Sequence, residues 1–308
     1  VVCGSHGKTT TTSLISGIFS KAKLDPTVIN GGVIKSIKNS AKLGKSNWCL
    51  IESDESDGSF LKVSPTYSIV TNIDKEHMDY YKNLNSLKKS FKKFIEKTPS
   101  FGKSIICVDD KNINEIIKKI KVKNYLTYGI NKKSNFCVHN IIQNSEFSCF
   151  DLLIKLPGKK SFVIKKIKIP LLGLHNIRNA AASVSICKII GISSYLIKKG
   201  LAEFKGVERR FNKLKTYRGS LIFDDYAHHP TEIKEVLKSV KKVYKKEEII
   251  SIFQPHRISR LKDLKKEFSY AFKNADKVIL FPIYTAGERI NLGFRYINFA
   301  KQIIKNSK

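Results

Sequence analysis

The sequence predicts two successive α/β domains, a first one built on a mostly parallel sheet with an antiparallel appendage and a second, Rossmann-like one. Three observations support this fold class. Short apolar runs alternate with stretches of period 3.6 from the start of the chain, which is typical of βα units in a parallel sheet. From 135 to 170 the pattern changes to strands separated by short polar turns. A second alternation begins after Lys205-Gly206, so we expect a domain boundary near residue 206.

The elements of the first predicted domain, 1–206, follow from this alternation. The expected parallel strands are 1–3, 47–53, 67–73, 103–108 and 124–129. The expected helices between them are 8–22, 84–97 and 112–120. The antiparallel strands are NFCVHNII, SCFDLLIKL and SFVIKKIKI. An Ala/Ser-rich helix in LLGLHNIRNAAASVSICKIIG and a helix near 194–204 complete the domain.

The second predicted domain, 207–308, repeats the pattern with fewer strands than a complete doubly wound sheet has. The expected strands are 221–227, 248–254 and 276–281, and the expected helices are 230–244 and 259–273.

Composition limits the class of protein. With 308 residues and 42% hydrophobic content, the chain can form two ordinary cores. We expect no membrane partner, because no apolar run approaches the roughly 18–20 residues that cross a bilayer. Six scattered cysteines without a CxxC pair favour a reduced, cytoplasmic protein over a disulfide framework or a zinc site.

The net charge of +31 is compatible with nucleic-acid binding. The lysines, however, are spread along predicted helix faces, as in SLKKSFKKFIEK, and aromatic residues are not interleaved with them. We therefore interpret the charge as solvated surface and expect no nucleic-acid partner. Salt-sensitive binding to DNA or RNA is the competing hypothesis.

The stretch GSHGKT, Gly4 to Thr9, lies between a predicted strand and a predicted helix, which is the setting of a phosphate-binding loop. Its glycines allow backbone N–H groups to approach phosphate oxygens, and the helix N-terminus adds partial positive charge. We expect Lys8 to reach the β- and γ-phosphates and Thr9 to ligate Mg²⁺. Because Val2 replaces the first glycine of GxxxxGK[ST], a plain βα turn remains the alternative.

Acidic residues follow the strand at 47–53, in IESDESD. The four acids are Glu52, Asp54, Glu55 and Asp57. Because ligands bind at the carboxyl edge of open α/β sheets, this cluster predicts a cation site, with a solvated acidic loop as the alternative. The next strand ends in TNIDKEHMDYY and brings Asn72, Asp74, His77 and Asp79 to the same edge. His77 is a candidate nitrogen ligand for a second metal.

Four further polar clusters lie at element junctions: GLHNIRNA, GVERRFN, FDDYAHHPTE and FQPHRISR. In the third, His228 and His229 precede a helix, so a helix cap and a substrate contact are both possible interpretations. In the fourth, His256, Arg257 and Arg260 follow a strand and can form a carboxylate or phosphate receptor. Simple surface charge is the alternative.

Together these motifs resemble the Mur ligase family, whose members share the short loop G-x-x-G-K-[TS]. The matches run in order along nearly the whole chain and are most similar to the alanine-adding member. They are GSHGKTTTT, LDPTVINGG, ESDESDGSF, VTNIDKEHMD, LLGLHNIRNAAA, GVERRF, DDYAHHPTE, FQPHRISR and YTAGE.

The resemblance implies a cytoplasmic, ATP- and Mg²⁺-dependent ligase of peptidoglycan precursor synthesis. Such an enzyme joins L-alanine to the lactyl carboxylate of UDP-N-acetylmuramate through an acyl phosphate. The resemblance also implies that 1–206 is the central ATP-binding domain and 207–308 an incomplete C-terminal domain. A UDP-binding N-terminal domain would then be absent from this sequence. A murein-tripeptide recycling ligase and a degenerate, inactive ligase are the alternatives, and we expect a monomer or weak homodimer.

The resemblance further implies roles for individual residues. The catalytic residues are Lys8, Glu52, His77 and Arg210. The ATP-binding residues are Gly4, Ser5, His6, Gly7, Lys8, Thr9, Thr10, Asn176, Asn179, Arg210 and Asp225. The metal ligands are Thr9, Glu52 and His77. The substrate residues are Asn72, His228, His256, Arg257 and Arg260. Among these, Asn176 and Asn179 would read adenine, Asp225 the ribose and Arg210 the γ-phosphate, while Arg257 and Arg260 would bind the alanine carboxylate.

Overall fold

A computed structural model describes residues 1–121, 124–288 and 296–306. The chain forms two compact units. The first unit comprises Val1–Leu171 and His175–Glu208, and the second comprises Leu172–Leu174 and Arg209–Lys308. The domain limits proposed from the sequence, 1–206 and 207–308, stay a prediction.

The first unit contains most of the strands. They are β1 (Val2–Cys3), β2 (Thr27–Ile34), β3 (Asn39–Lys42), β4 (Cys49–Ile51), β5 (Tyr67–Val70), β6 (Lys103–Cys107), β7 (Tyr125–Gly129), β8 (Phe136–Gln143), β9 (Ser148–Ile154) and β10 (Phe162–Ile169). The helices are α1 (Lys8–Lys21), α2 (Met78–Tyr81), α3 (Leu84–Glu96), α4 (Lys111–Ile117), α5 (Leu174–Ile189) and α6 (Ser194–Ala202), with a 3₁₀ turn at Ser59–Lys62.

The main sheet has seven strands in the order β1-β5-β6-β7-β8-β9-β10. Neighbouring strands from β1 to β8 are parallel, whereas β8, β9 and β10 pair antiparallel. The predicted fold class, a mostly parallel sheet with an antiparallel appendage, is therefore confirmed.

A smaller sheet, in the order β3-β2-β4, adjoins the main sheet. A parallel bridge joins Val2 to Glu52, and the Ser53 N–H donates to the Val2 carbonyl oxygen at 2.8 Å. Strand β1 therefore lies between β4 and β5, so the carboxyl ends of these three strands are neighbours. Strands β2 and β3 were not predicted, because two glycines interrupt the apolar pattern of TVINGGVI.

The core of the first unit is formed by apolar helix faces against the sheet. Helix α3 begins at Asn83, whose side chain accepts from the Ser86 N–H, and buries Phe91 and Phe94 against Phe60. Full burial of one such side chain contributes about 1.5–3 kcal/mol. Helix α5 is buried along a run of alanines and serines, as its small side chains suggest.

The second unit has four strands and four helices in its described part. The strands are β11 (Asn212–Tyr217), β12 (Ser220–Asp224), β13 (Ile250–Phe253) and β14 (Lys277–Leu280). The helices are α7 (Pro230–Val243), α8 (Ile258–Asp263), α9 (Lys265–Ala271) and α10 (Tyr296–Asn306). Strands β13 and β14 are parallel and flank α8 and α9, whereas β11 and β12 form an antiparallel pair.

Two details of the second unit differ from the sequence-based expectation. The helix expected over 259–273 is divided at Leu264 into α8 and α9, and β11 was not predicted. In the core of the second unit, four rings pack together: Phe253, Phe268, Phe272 and Phe299. Helix α10 therefore shares this core with β13 and α9.

Two chemical expectations concern the whole chain. All six cysteines lie in the described part and are free thiols there. No helix within the described residues is long and apolar enough to span a membrane.

Asp109 is a structural anchor of the first unit. Its carboxylate accepts from the Ile130 N–H at 2.9 Å and the Asn131 N–H at 3.0 Å, just after β7. Arg178 on α5 donates its Nε–H to the same carboxylate at 2.7 Å. Asp109 therefore ties the turn after β7 to helix α5, and these contacts give Arg178 a structural role.

We expect Asp109→Ala to lower the free energy of unfolding by about 2–4 kcal/mol, because it removes two backbone acceptors and leaves a partly buried guanidinium. Urea unfolding measures the change. Glu146→Ala, on an exposed turn, is the control and should stay within about 0.5 kcal/mol of the parent. A double-mutant cycle with Arg178→Ala that gave no coupling energy would contradict the role of the ion pair.

Candidate active site

The loop between β1 and α1 depends on two left-handed glycines. Gly4 has φ 131° and Gly7, which precedes the first residue of α1, has φ 82°. A Cβ atom on Gly4 would lie 2.1 Å from the Thr71 hydroxyl oxygen. Any other residue at position 4 would therefore be strained and would also collide with the end of β5.

The segment after β5 braces this loop from the side. The Ser5 N–H donates to the Asn72 carbonyl oxygen at 3.1 Å, and the His6 N–H donates to Asn72 Oδ1 at 2.8 Å. Asn72 Nδ2 and the Thr71 hydroxyl both donate to the His6 carbonyl oxygen, at 2.9 and 2.6 Å. Both halves of the Asn72 amide thus contact the loop, and its expected contact with substrate stays a prediction.

Lys8 is buried at the start of α1 and contacts carboxylates that follow β4. Its ammonium donates to Glu55 Oε2 at 2.7 Å and lies 3.7 Å from Asp54 Oδ1. Burial by itself lowers the pKa of Lys8, but Glu55, Asp54 and Glu76 outweigh it, so the pKa is raised above its usual value. The neighbouring carboxylates therefore favour the charged form of Lys8 at the predicted phosphate loop, which lies between β1 and α1.

Glu52 lies at the end of β4 beside Thr9 of the loop. The Thr9 hydroxyl donates to Glu52 Oε1 at 2.8 Å, and the Gly31 N–H of β2 donates to Glu52 Oε2 at 2.6 Å. A Cβ on Gly31 would lie 2.9 Å from Glu52 Oε1, so β2 can approach this closely only with glycine there. A hydroxyl and a carboxylate are the oxygen ligands that Mg²⁺ prefers, and the Thr9–Glu52 pair fits this ion.

His77 lies near the carboxylates of Glu55 and Glu76, whereas Glu52 was the carboxylate expected to act with it. Its Nε2 lies 3.9 Å from Glu55 Oε1 and 4.0 Å from Glu76 Oε2. Ligand atoms of Asp54, Glu55 and His77 lie within 4.8 Å of one another. Glu55 was recognised in the sequence as one of four clustered acids, but no role was assigned to it.

Asn176 and Asn179 lie in the first turns of α5 and are buried. Asn179 Nδ2 donates to Asn176 Oδ1 at 3.3 Å. A Cβ on Gly7 would lie 2.5 Å from Asn179 Oδ1, so Asn179 contacts the phosphate loop directly. Thr10 is buried in the first turn of α1. The expected adenine contacts of the two asparagines stay predictions.

In the second unit, Asp225 holds two chain segments together. Its carboxylate accepts from the Phe211 N–H and the Ala227 N–H, both at 2.7 Å. Burial raises the pKa of Asp225 to about 6, although these N–H groups and Arg210 act in the opposite direction. Arg210 itself lies 3.9 Å from Glu232 on α7, with its guanidinium 5.6 Å from the centre of the Tyr226 ring.

The structure brings His228, His256 and Arg260 together. The two imidazole rings are 6.1 Å apart, and Arg260 Nη1 donates to His256 Nδ1 at 3.3 Å. Burial lowers the pKa of His228 to about 4, and it also lowers the pKa of His256, with Arg260 acting in the same direction in both cases. The cluster thus contains one arginine and two imidazoles of lowered pKa, and its expected role as an anion receptor stays a prediction.

His229, by contrast, acts as a helix cap. Its side chain accepts from the Thr231 N–H, Glu232 accepts from the His229 N–H, and Pro230 occupies the first turn of α7. This is the capping interpretation of the HHPTE segment.

Arg257 is held by residues whose roles the sequence did not predict. Its backbone has φ 64°, a left-handed conformation, and its N–H donates to the Tyr284 carbonyl oxygen at 2.9 Å. The Ser259 hydroxyl and N–H donate to Glu288, at 2.6 and 3.0 Å. Tyr284 and Glu288 both belong to the YTAGE segment, which was noticed only as part of the resemblance.

Comparison with known protein families identifies the family of this chain. The model of the Mur ligase middle domain matches residues 2–187, and that of the Mur ligase, glutamate ligase domain matches residues 209–303. The chain belongs to the Mur ligase family. Its members are ATP-dependent ligases that form amide bonds, which agrees with the phosphate-binding loop predicted between β1 and α1.

Individual Mur ligases are similar to this chain over all or nearly all of its length. The UDP-N-acetylmuramate–L-alanine ligase of Pelagibacter ubique is 67% identical over 308 residues, which is 100% of this chain and 66% of that protein. The enzyme of the same name from Caulobacter vibrioides is 41% identical over 94% of this chain and 61% of its own length. The chain thus spans slightly less than two thirds of these relatives.

Solved structures agree with the fold. The crystal structure of UDP-N-acetylmuramate–alanine ligase from Thermotoga maritima has a TM-score of 0.78 and 27% sequence identity. The match covers 100% of this chain and 64% of that one. A murein peptide ligase from Psychrobacter arcticus, at 21% identity and a TM-score of 0.67, has the same fold.

We expect His228 to stay neutral well below the usual titration range of histidine. Because its pKa in the folded protein, about 4, lies below the unfolded value of 6.5, the free energy of unfolding is unaffected above pH 6.5. It should fall as the pH drops from 6.5 towards 4, by at most about 1.4 kcal/mol per pH unit.

An NMR titration of the imidazole Cε1–H signals measures this pKa, with the signal of His228 assigned by its loss in His228→Gln. A midpoint near 6.5 would contradict the partly buried environment of this ring.

Proposed function

We propose that this chain is the ATP-binding and C-terminal part of a ligase that joins L-alanine to the lactyl carboxylate of UDP-N-acetylmuramate. The observation that carries the proposal is 67% identity, over all 308 residues, to a UDP-N-acetylmuramate–L-alanine ligase. Two arrangements, each within one unit, support it: the Lys8–Glu55 and Thr9–Glu52 pairs in the first unit, and the contact between Arg260 and His256 in the second.

Catalysis of the proposed reaction depends on positioning the reactants and neutralising their charge. ATP phosphorylates the lactyl carboxylate to an acyl phosphate, the alanine amine attacks its carbonyl carbon, and phosphate leaves as the amide forms. Lys8 would hold the β- and γ-phosphates, because its raised pKa keeps it charged at any physiological pH. Arg210 would contact the γ-phosphate, and Asp225 the ribose.

Magnesium is part of the proposal. Thr9 and Glu52 would hold one ion and His77 would be a ligand of a second one. When bound, Mg²⁺ would neutralise phosphate charge. The contact between Thr9 and Glu52 at 2.8 Å supports the first assignment, because both groups already face the same point.

The amino-acid pocket is proposed for the second unit. Arg257 and Arg260 would bind the alanine carboxylate, with His228 and His256 lining the pocket. The lowered pKa values of both imidazoles support this, because uncharged rings leave the arginines as the groups that select an anion. We also propose that the protein acts in the cytoplasm, in peptidoglycan precursor synthesis, as a monomer or weak homodimer.

We expect ADP release from Mg·ATP to require both UDP-N-acetylmuramate and L-alanine when the complete open reading frame that contains this chain is assayed. Titrating L-alanine, with glycine and L-Ala-γ-D-Glu-diaminopimelate as alternative acceptors, identifies the acceptor. ADP release with the tripeptide alone would identify the protein as a murein-tripeptide recycling ligase. A folded protein that binds ATP but releases no ADP with any acceptor would be a degenerate ligase.

We expect Glu52→Gln to reduce turnover by at least about a hundredfold, because the amide loses the charge that a divalent ion requires. The fold should be retained, since Gln preserves an oxygen for the Thr9 hydroxyl. Steady-state ADP release and circular dichroism measure the two effects. Asp57→Asn, in the same loop but exposed, is the matched control and should turn over normally. Near-normal turnover of Glu52→Gln would refute the metal assignment.

A further inference from the structure

Glu55 is a fully buried carboxylate whose two oxygens face different groups. The side chain has 0% exposure, and Oε2 accepts from Lys8 at 2.7 Å. Within the described residues, Oε1 has no hydrogen-bond partner and lies 3.9 Å from His77 Nε2. A carboxylate oxygen that is buried without a partner is costly, so this atom is a candidate ligand for a cation.

The surrounding charges have the same implication. Asp54 and Glu55 both lie beside the Lys8 ammonium, at 3.7 and 2.7 Å, and this single positive charge can compensate one of the two carboxylates. One negative charge then remains near His77, and a bound cation would balance it.

The distances also suit an ion. Ligand oxygens lie roughly 2.0–2.6 Å from Mg²⁺ or Ca²⁺, so atoms on opposite sides of an ion are roughly 4–5 Å apart. The ligand atoms of Asp54, Glu55 and His77 all lie within 4.8 Å of one another. His77 is held at this point by a left-handed backbone, with φ 56°, at the start of α2.

The Glu55 backbone is fixed as well. The Tyr81 hydroxyl of α2 donates to the Glu55 carbonyl oxygen at 2.5 Å, and Tyr81 is itself buried. Helix α2, which begins just after His77, therefore holds the loop after β4 in place. Asp54, Glu55 and His77 are thus fixed relative to one another before any ligand binds.

We propose that Glu55 bridges Lys8 and a divalent cation, with Oε2 on the ammonium and Oε1, together with Asp54 and His77, on the ion. The inference rests on the proposed function only in that this ion would be the second one of the ligase. It assigns to Glu55 a ligand role distinct from that of Glu52, whose carboxylate faces Thr9 and Gly31. The phosphate-loop lysine and the cation are then held by a single carboxylate.

Mn²⁺ binding without nucleotide tests the proposal. Pulsed electron paramagnetic resonance detects the coupling between bound Mn²⁺ and an imidazole nitrogen, and a Mn²⁺ titration gives the dissociation constant. We expect a nitrogen coupling in the parent protein and its loss in His77→Gln. In Glu55→Gln, we expect the coupling to disappear and the dissociation constant to rise at least about tenfold, as for the loss of a metal contact.

Three further variants make the result specific. Glu52→Gln should keep the nitrogen coupling, because Glu52 belongs to the other pair, and Asp57→Asn should bind Mn²⁺ like the parent. Glu55→Asp keeps the charge but shortens the side chain, and should bind Mn²⁺ more weakly than the parent while circular dichroism shows the same fold. This variant covers the case in which Glu55→Gln does not fold.

The outcomes separate this proposal from the proposed function. An unchanged nitrogen coupling and dissociation constant in both Glu55 variants would overturn the ligand role, even if the enzyme releases ADP with L-alanine. A coupling that survives in His77→Gln would overturn the site. Loss of Mn²⁺ binding in the Glu55 variants would support it, even if no acceptor stimulates ADP release.

Discussion

The buried ion pair between Lys8 and Glu55 is the interaction on which the arrangement of the phosphate loop depends. The Lys8 side chain is 12% exposed and that of Glu55 is 0% exposed, so neither charge is stabilised much by water. Removing one partner from such a pair leaves an uncompensated buried charge and typically costs about 3–5 kcal/mol. The pair therefore couples the loop after β1 to the loop after β4 far more strongly than a surface ion pair would.

The order of strands makes this pair possible. Since β1 lies between β4 and β5, the phosphate loop emerges between an acidic loop on one side and the segment from Thr71 to His77 on the other. The acidic side supplies Glu52 and Glu55, and the other side supplies the hydrogen bonds of Asn72 to Ser5 and His6. The loop after β4 thus supplies carboxylates and the segment after β5 supplies most of the hydrogen bonds, and neither could be exchanged without changing the strand order.

Much of the structure at the carboxyl ends of β4, β1 and β5 could be predicted from the sequence, because it depends on local patterns. The apolar runs of the parallel strands and the amphipathic stretch 84–97 are properties of neighbouring residues, and the structure has α3 at Leu84–Glu96. The convergence of the acids and the TNIDKEHMD segment follows from the rule that parallel strands end at one edge, and the contacts of Lys8 and Ser5 confirm it.

What could not be predicted depends on contacts between distant residues. Strand β2 is stabilised by pairing with β4 and by the approach of Gly31 to Glu52, whereas its own Asn-Gly-Gly sequence favours a turn. The path of the chain after β4 decides which of the four acids faces Lys8. Neither the spacing of the acids nor the composition predicts that path. The splitting of 259–273 at Leu264 is likewise not visible in an apolar pattern that continues through it.

The Lys8–Glu55 pair does not compete with the proposed task of Lys8. An ammonium group has three N–H donors in tetrahedral directions. One of them is used by Glu55 Oε2 at 2.7 Å, and the Ser5 carbonyl oxygen at 3.5 Å and Asp54 at 3.7 Å are too distant to hold the others firmly. Glu55 can therefore keep Lys8 charged and aimed while two donors remain for phosphate oxygens. A buried carboxylate in this position orients the lysine in advance, so less side-chain entropy would be lost in the proposed binding of ATP.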